Sequence, residues 1–362
     1  MSLSVGQYGA SGMSQILSDG IQQIRDQQQL NSWQATQGTI SSSIAGLGDN
    51  RGATLALSPK LAQLADYQTN MSSVQSRLSI SSKAIEQVTN IAQSFSSQML
   101  GLQSTLGSKA QPLDATISNA NSSLSTIGNI LNTSDGMGYI FSGTAENEPT
   151  VPSPNQLSDS PLAKSISKIV SGLSGNNVDD IFKQATAAAA DNSNSMSVFS
   201  PSISTSAENA TAMRRQVVTG PTSASTSANG VVATEGGQAS DTSTGSPIRD
   251  MMRDMMIVSS MKGMSSTTPG FTELAKKLQA SFTDSSSRLI DMNTSIGVEQ
   301  NNIKSQQKTF TSVQTSLQTQ MSTNVDADMA VVATQASDLS TRLKASYSLI
   351  AKTKGMTLAD YM

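Results

Sequence analysis

Apolar side chains recur every three or four residues over most of the chain, in stripes that predict long amphipathic helices. The longest stripe covers residues 64–106, and a shorter one covers residues 113–131 after a break that contains Gly107 and Pro112. Two striped helices joined by a short break are typical of an antiparallel helical hairpin. We expect Pro59 to stand just before the first of these helices, at a position where proline is tolerated.

The second half of the chain repeats this arrangement. The segment PIRDMMRDMMIVSSMKG predicts a helix, and a long stripe with near-heptad spacing follows over residues 282–317. Because heptad stripes bury each other in coiled coils, we expect the stripes at 64–106 and 282–317 to pack side by side. The sequence therefore predicts a mainly α fold, with a long antiparallel coiled-coil-like rod built from both halves of the chain.

Each end of the chain adds a further helix with an apolar stripe. The N-terminal stripe is short and consists of Leu17, Ile21 and Ile24. A junction near Asn324 and Asp326 precedes the C-terminal stripe, whose positions are Val325, Met329, Val332, Leu339, Leu343, Tyr347 and Ile350. A stripe of this kind either docks within the same molecule or binds another one.

The pattern changes between the two halves of the predicted rod. The turn-forming pair Asp135-Gly136 and the β-favouring residues Tyr139, Ile140 and Phe141 predict a β-hairpin. Residues 145–246 hold most of the prolines, two short helical patterns near 162–173 and 178–190, and a Ser- and Thr-rich stretch of strands and turns. We interpret them as an inserted α+β or β-rich outer module.

These patterns divide the chain into five parts. The N-terminal helix and its loop occupy residues 1–52, and the N-terminal half of the rod with the hairpin occupies 53–144. The outer module follows at 145–246, the C-terminal half of the rod at 247–323, and the C-terminal helix at 324–362.

The amino-acid composition excludes several classes of catalytic and binding site. The chain contains no cysteine and no histidine, which excludes thiol nucleophiles, disulfides and a Ser–His–Asp triad. A net charge of −3 without basic clusters argues against nucleic acid as a partner. The sequence has neither a secretory signal peptide nor a membrane-spanning segment, so no membrane partner is expected. We expect no catalytic residue, cofactor or metal site; a carboxylate or lysine site within residues 145–246 is the remaining route to an enzyme.

The segment that opens the C-terminal half carries charges and methionines in one helix. Its methionines are expected to form a packed helix face: Met251, Met252, Met255 and Met256. Its charged residues have helical spacing and are expected to form solvated ion pairs, each contributing only tenths of a kcal/mol: Arg249, Asp250, Arg253 and Asp254.

Three stretches of the sequence resemble the flagellin superfamily, over roughly residues 1–145 and 247–362. The first begins AGLGDNRGATLALSPKLAQLADYQ and looks like the loop into the first long rod helix of that family. The other two are LNTSDGMGYIFSGT and the closing LKASYSLIAKTKGMTLADYM, which look like motifs of the family of flagellar hook-associated protein 3, at the hook–filament junction. The LSSGLRINSAxDD motif of ordinary flagellins is absent, which favours the junction family over the filament subunit.

This resemblance implies a structural protein outside the cell, exported unfolded through the flagellum by its type III apparatus without a cleaved signal peptide. It implies that the terminal helices pair with each other and with neighbouring subunits, so that both terminal stripes are assembly interfaces. The implied partners are a hook-associated protein, flagellin, further copies of the chain in a ring or helical array, and an export chaperone.

Two other readings of the sequence remain open. A self-polymerising flagellin has the same expected fold, and elongation of filament seeds without a cap distinguishes it. A secreted or signalling coiled-coil protein whose tail binds a partner helix belongs to another class, and it predicts a tail that is ordered in the free monomer.

Overall fold

The computed structural model describes residues 7–104, 111–222 and 225–359, and the fold is mainly helical. The α-helices are α1 (Gln7–Gln37), α2 (Arg51–Ser104), α3 (Gln111–Leu131), α4 (Pro161–Val170), α5 (Val178–Ala190), α6 (Ala207–Ala212), α7 (Pro247–Ser260), α8 (Phe271–Val325) and α9 (Met329–Ala359). Short 3-10 segments cover Ile44–Asn50 and Pro154–Asp159. One two-stranded antiparallel sheet joins β1 (Gln216–Val218) to β2 (Thr226–Ala228).

The chain folds as two compact units. Unit 1 consists of residues 1–65 and 309–362, and unit 2 consists of residues 66–308. Helices α2 and α8 each contribute residues to both units. Unit 2 holds most of the buried apolar side chains of the described residues.

The long apolar stripes form long helices, as the spacing predicts. Helix α2 begins earlier than expected, at Arg51, so that Pro59 lies inside it rather than before it. Pro59 is the ninth residue of this 54-residue helix. Proline lacks the N–H that would bond four residues back, so one backbone hydrogen bond of the helix interior is lost there. The expected end of this helix at Gly107 lies outside the described residues.

Within unit 2, α2 and α8 pack antiparallel along their apolar stripes. The rings of Phe95 and Phe282 stack with their centroids 5.4 Å apart. Polar contacts flank this seam: the Ser82 hydroxyl donates to Asn293 Oδ1 at 2.7 Å, and the hydroxyls of Ser96 and Thr283 lie 2.8 Å apart. The sequence separation of the contacting pairs falls toward the start of α8, which is the pattern of antiparallel helices.

Of the β-hairpin predicted around Asp135-Gly136, the turn is present, but residues 139–141 form no regular strand. Only single β-bridges form there, between Ser134 and Tyr139 and between Ser142 and Val232. The Asp135 carboxylate closes the intervening turn by accepting from the backbone N–H groups of Met137 and Gly138 at 2.9 and 3.0 Å. Ile140 and Phe141 are buried as core side chains of an irregular segment, which explains their apolar character without a strand.

Residues 145–246 contain the two short helices that the pattern predicts, α4 and α5. Strands are a minor part of this region, because β1 and β2 are each three residues long. Much of the remainder is irregular backbone held by hydroxyl side chains. The Thr234 hydroxyl, for example, donates to the carbonyl oxygen of Ile203 at 2.8 Å.

Helix α7 overturns the expectation of solvated charges. All residues from Pro247 to Val258 are buried, and its two arginines and two aspartates are among them. The methionines are also buried, which confirms the predicted apolar face. The helix packs against α3, α4 and α5. Its charged side chains are also bonded by residues of α8 and of the segment before α7, such as Arg288 and Thr244.

Candidate functional site

Helices α1 and α9, which bring the two ends of the chain together, pair antiparallel in unit 1. The Asn31 side-chain amide is buried and donates to the Val332 carbonyl oxygen at 3.0 Å and to Gln335 Oε1 at 3.4 Å. Further along the pair, Arg25 Nη2 donates to the Tyr347 hydroxyl at 3.2 Å. A buried amide that bonds to the backbone of the other helix favours one alignment of the two helices, because a shifted alignment leaves it unpaired.

Backbone hydrogen bonds lock one end of this helix pair. Gly38 has a φ of 71° and ends α1 in the left-handed conformation that glycine adopts without strain. The Ile40 N–H donates to the Val325 carbonyl oxygen, and the Ala327 N–H donates to the Gly38 carbonyl oxygen, both at 2.8 Å. The loop after α1 is therefore tied to the break between α8 and α9, which lies where the sequence predicts a junction.

Asp328 begins α9 with a side-chain cap. Its Oδ1 accepts from the backbone N–H groups of Ala330 and Val331 at 2.9 and 3.3 Å. Backbone N–H groups in the first turn have no partner within the helix, so the carboxylate stabilises the start of α9 by accepting from them. Its negative charge also interacts favourably with the positive end of the helix dipole.

The structure divides the predicted interface residues into three groups. Val332 and Leu339 are buried, with 4% and 7% of their surface exposed. Met329 and Tyr347 are exposed. The remaining positions are half-buried: Leu17, Ile21, Ile24, Val325, Leu343 and Ile350. Part of the C-terminal stripe thus packs within this molecule, and part of it faces solvent.

Sequence reasoning missed a second set of apolar side chains on the same two helices. These residues lie beside the stripes, and each is more than 40% exposed: Ile16, Leu30, Val331 and Leu349. Val331 and Leu349 each precede a stripe position, so a search for heptad spacing passes over them. The sequence feature that could have revealed them is the presence of apolar residues on α1 and α9 outside the three-four spacing of the stripes.

A shallow groove of about 370 Å³ runs between the two helices. Its α1 wall consists of Gln27, Leu30, Asn31 and Gln34, and its α9 wall consists of Gln335, Asp338, Leu339 and Arg342. The groove offers amides, one carboxylate, one guanidinium and two leucine side chains, a mixture that suits contact with another polypeptide.

Unit 2 contains a second cluster of charged residues, around α7. Arg253 donates from Nε to Asp254 Oδ1 at 2.9 Å and from Nη1 to the Thr186 hydroxyl at 2.8 Å. Asp250 accepts from Arg288 Nη1 at 3.1 Å. Burial raises the pKa of Asp254 to about 6, although the charge of Arg253 opposes that shift. Such pairs hold helices together. Arg288, at the edge of this cluster, also lines an open pocket of about 300 Å³ with Arg214 and Glu235.

The described residues contain no group of three or more Asp or Glu side chains that could hold a metal ion. Among the helices described, none is long and apolar enough to cross a membrane. The chain was also compared with known proteins, and neither a family model nor a curated protein matches its sequence.

Proposed function

We propose that this protein is a structural subunit of the bacterial flagellum, an adaptor at the hook–filament junction that joins the hook-associated ring to the flagellin filament. One observation carries the proposal: the two ends of the chain form an antiparallel helix pair whose outer surface exposes apolar side chains. The resemblance of GYIFSGT and of the closing residues to the junction family supplies the biological setting.

The physical basis is the free energy of covering that surface. Fully burying a large aliphatic or aromatic side chain contributes about 1.5–3 kcal/mol. Several such residues lie on α1 and α9, including Ile16, Trp33, Val331 and Leu349. Covering a set of this size against neighbouring subunits offsets part of the entropy lost on association. An isolated molecule gains nothing from exposing these side chains, so a partner gives them a role.

The proposal also assigns roles to unit 2 and to residues 145–246. The antiparallel packing of α2 and α8 in unit 2 corresponds to the coiled-coil rod, and residues 145–246 correspond to the outer module. The partners are a hook-associated protein, flagellin, further copies of the chain and an export chaperone. The protein would act outside the cell, after export without a cleaved signal peptide.

The test mixes the full-length protein with flagellin filaments from the same bacterium and follows binding by sedimentation and electron microscopy. We expect the protein to bind filament ends and to stop there, without elongating seeds by itself. Elongation of seeds by this protein alone would make it a flagellin instead. Failure to bind filament ends would contradict the proposal and would favour a coiled-coil protein of another system.

A pair of variants ties the binding to the terminal helices. Val331 on α9 and Val218 on β1 are 49% and 50% exposed, so Val331→Ser and Val218→Ser make the same change at equal exposure. We expect Val331→Ser to weaken filament binding about 3- to 10-fold, the effect of losing roughly 1 kcal/mol of apolar contact. Val218→Ser is expected to bind like the wild type; an equal loss in both variants would mean that α9 is not the interface.

A further inference from the structure

Three buried side chains of unit 2 each leave one polar atom without a hydrogen-bond partner among the described residues. These atoms are Arg77 Nε and Ser81 Oγ, both on α2, and Asn229 Oδ1, in the segment after β2. Their residues are 2%, 0% and 5% exposed. Because an unsatisfied polar atom at such depth is costly and native proteins rarely keep one, each of the three needs a partner.

The polar atoms of α2 approach each other at Gly230. A Cβ atom added to Gly230 would lie 3.7 Å from Arg77 Nε, 3.8 Å from Ser81 Oγ and 3.1 Å from the Ile140 carbonyl oxygen. Asn229, which carries the third atom, is the preceding residue. Gly230 has a φ of 113°, a conformation that glycine adopts without strain. One N–H donor, one hydroxyl and one carbonyl oxygen thus lie around the side-chain position that glycine leaves unfilled, with the Asn229 amide beside it.

The charge at this position is already balanced. Arg77 pairs with Asp135 at 3.1 Å and with Glu146 at 2.7 Å, so its guanidinium needs no further anion. A metal cation is equally unsuitable, because the Nε–H of Arg77 is a hydrogen-bond donor on a positive group. The groups around Gly230 therefore suit a small neutral molecule that both accepts and donates hydrogen bonds.

We propose that a single buried water molecule binds beside Gly230 and bridges α2 to the segment that follows β2. It accepts from the Nε–H of Arg77, shares a hydrogen bond with the Ser81 hydroxyl and donates to Asn229 Oδ1. The Ile140 carbonyl oxygen is a further acceptor within reach, and buried waters typically make about three hydrogen bonds. The bridge fixes the return of the chain from the two-stranded sheet onto α2. It is a property of unit 2 and is independent of the flagellar proposal.

A crystal structure of the full-length protein, at a resolution that shows ordered water, tests the site directly. We expect one peak of electron density with the height of a water oxygen, within about 3.2 Å of both Arg77 Nε and Ser81 Oγ. Featureless density at that position, or direct hydrogen bonds from these two atoms to other protein atoms, would overturn the proposal. This readout needs no variant, so a substitution that fails to fold cannot obscure it.

Thermal unfolding of a serine variant gives a second test, in which the sign of the effect decides. If the Ser81 hydroxyl binds the water, Ser81→Ala should lower the Tm by about 2–4 °C relative to its control, the effect of losing a hydrogen bond. If the hydroxyl is unsatisfied, its removal should leave the Tm unchanged or raise it. The control is Ser285→Ala on α8, at another fully buried hydroxyl without a partner, because both changes gain the same helix propensity. A Tm for Ser81→Ala equal to or above that of the control would count against the site.

Discussion

At the scale of single residues, Arg77 illustrates how charges organise irregular backbone. Its guanidinium is buried and pairs with Asp135 at 3.1 Å and with Glu146 at 2.7 Å. It also donates to the Tyr139 carbonyl oxygen at 2.9 Å. One side chain of α2 therefore holds the turn at 135–138 and the segment that follows, where no regular strand supplies backbone bonds.

Replacing this arginine should be costly for that reason. Arg77→Met removes the arginine partner of the partly buried Asp135 and leaves Glu146 with Arg215 alone. We expect it to lower the free energy of unfolding of unit 2 by about 3 kcal/mol. Arg215 is a matched control, because it also pairs with Glu146, at 2.8 Å, but is half-exposed. Arg215→Met should cost about 1 kcal/mol or less. Urea unfolding followed by circular dichroism measures both, and equal costs would show that burial is not the deciding factor.

Asp254 makes a pH-dependent contribution of a definite sign. Its pKa rises from 3.8 to about 6 because the carboxyl is fully buried; Oδ1 pairs with Arg253, and Oδ2 has no partner. A raised pKa means that the folded state binds the proton more tightly than the unfolded state does. The stabilisation from this carboxyl is therefore complete below about pH 4 and is lost as the pH rises through 6, an effect of about 3 kcal/mol.

Asp254→Asn tests this sign, since the amide is neutral at every pH. The difference in unfolding free energy between the variant and the wild type should shift in favour of the variant as the pH rises from 4.5 to 7.5. Hydrogen exchange of the α7 amides at several pH values measures this difference locally. A difference that is constant across this range would mean that the buried carboxyl does not titrate there.

At the scale of elements, the sequence pattern predicted the long helices and also helix α7 with its buried methionines. It was wrong about the charged residues of α7, which are buried rather than solvated. Stripes locate α2, α3, α8 and α9, because each of these helices buries one face and exposes the other. Residues 247–258 of helix α7 are buried on every side, so its sequence does not alternate between a buried and an exposed face. In the sequence, its arginines and aspartates have the pattern of a solvated face. In the structure they bond to residues from other segments, such as Thr186, Ser243 and Arg288.

The same limit applies to the candidate site. The stripe on α9 is visible in the sequence, but its division between a buried and an exposed part depends on where α1 lies. The strand expected at Tyr139 fails for a related reason: local β propensity is real, and a buried ion pair with a tight Asp135 turn overrides it. Distant contacts, rather than local preference, decide these positions.

Adjacent valines on α9 allow the helix pair itself to be tested. Val332 is buried against α1, whereas Val331 is 49% exposed. Val332→Ala should destabilise unit 1 by about 1–2 kcal/mol through lost apolar burial and the space left behind. Val331→Ala should change unfolding by about 0.5 kcal/mol or less. Trp33, the single tryptophan of the chain, lies on α1 and reports unit 1 by fluorescence; equal effects of the two changes would contradict the observed pairing.

At the scale of the whole molecule, the two units differ in how much core they contain. Among the described residues of unit 1, the buried apolar side chains are Leu47, Leu57, Val332 and Leu339. Unit 2 holds the remaining core, including the stacked Phe95 and Phe282 and the methionines of α7. Since apolar burial is the main favourable contribution to folding, unit 1 has much less to offset its loss of conformational entropy.

This difference predicts two transitions in urea. Trp33 fluorescence should report the unfolding of unit 1 at a lower urea concentration than the loss of helical circular dichroism from unit 2. If neighbouring subunits cover the exposed side chains of α1 and α9, as the proposed function requires, assembly should move the first transition toward the second. Coincident transitions in the free protein would mean that unit 1 is stable without partners, which would remove the main physical reason for regarding its exposed apolar surface as an assembly interface.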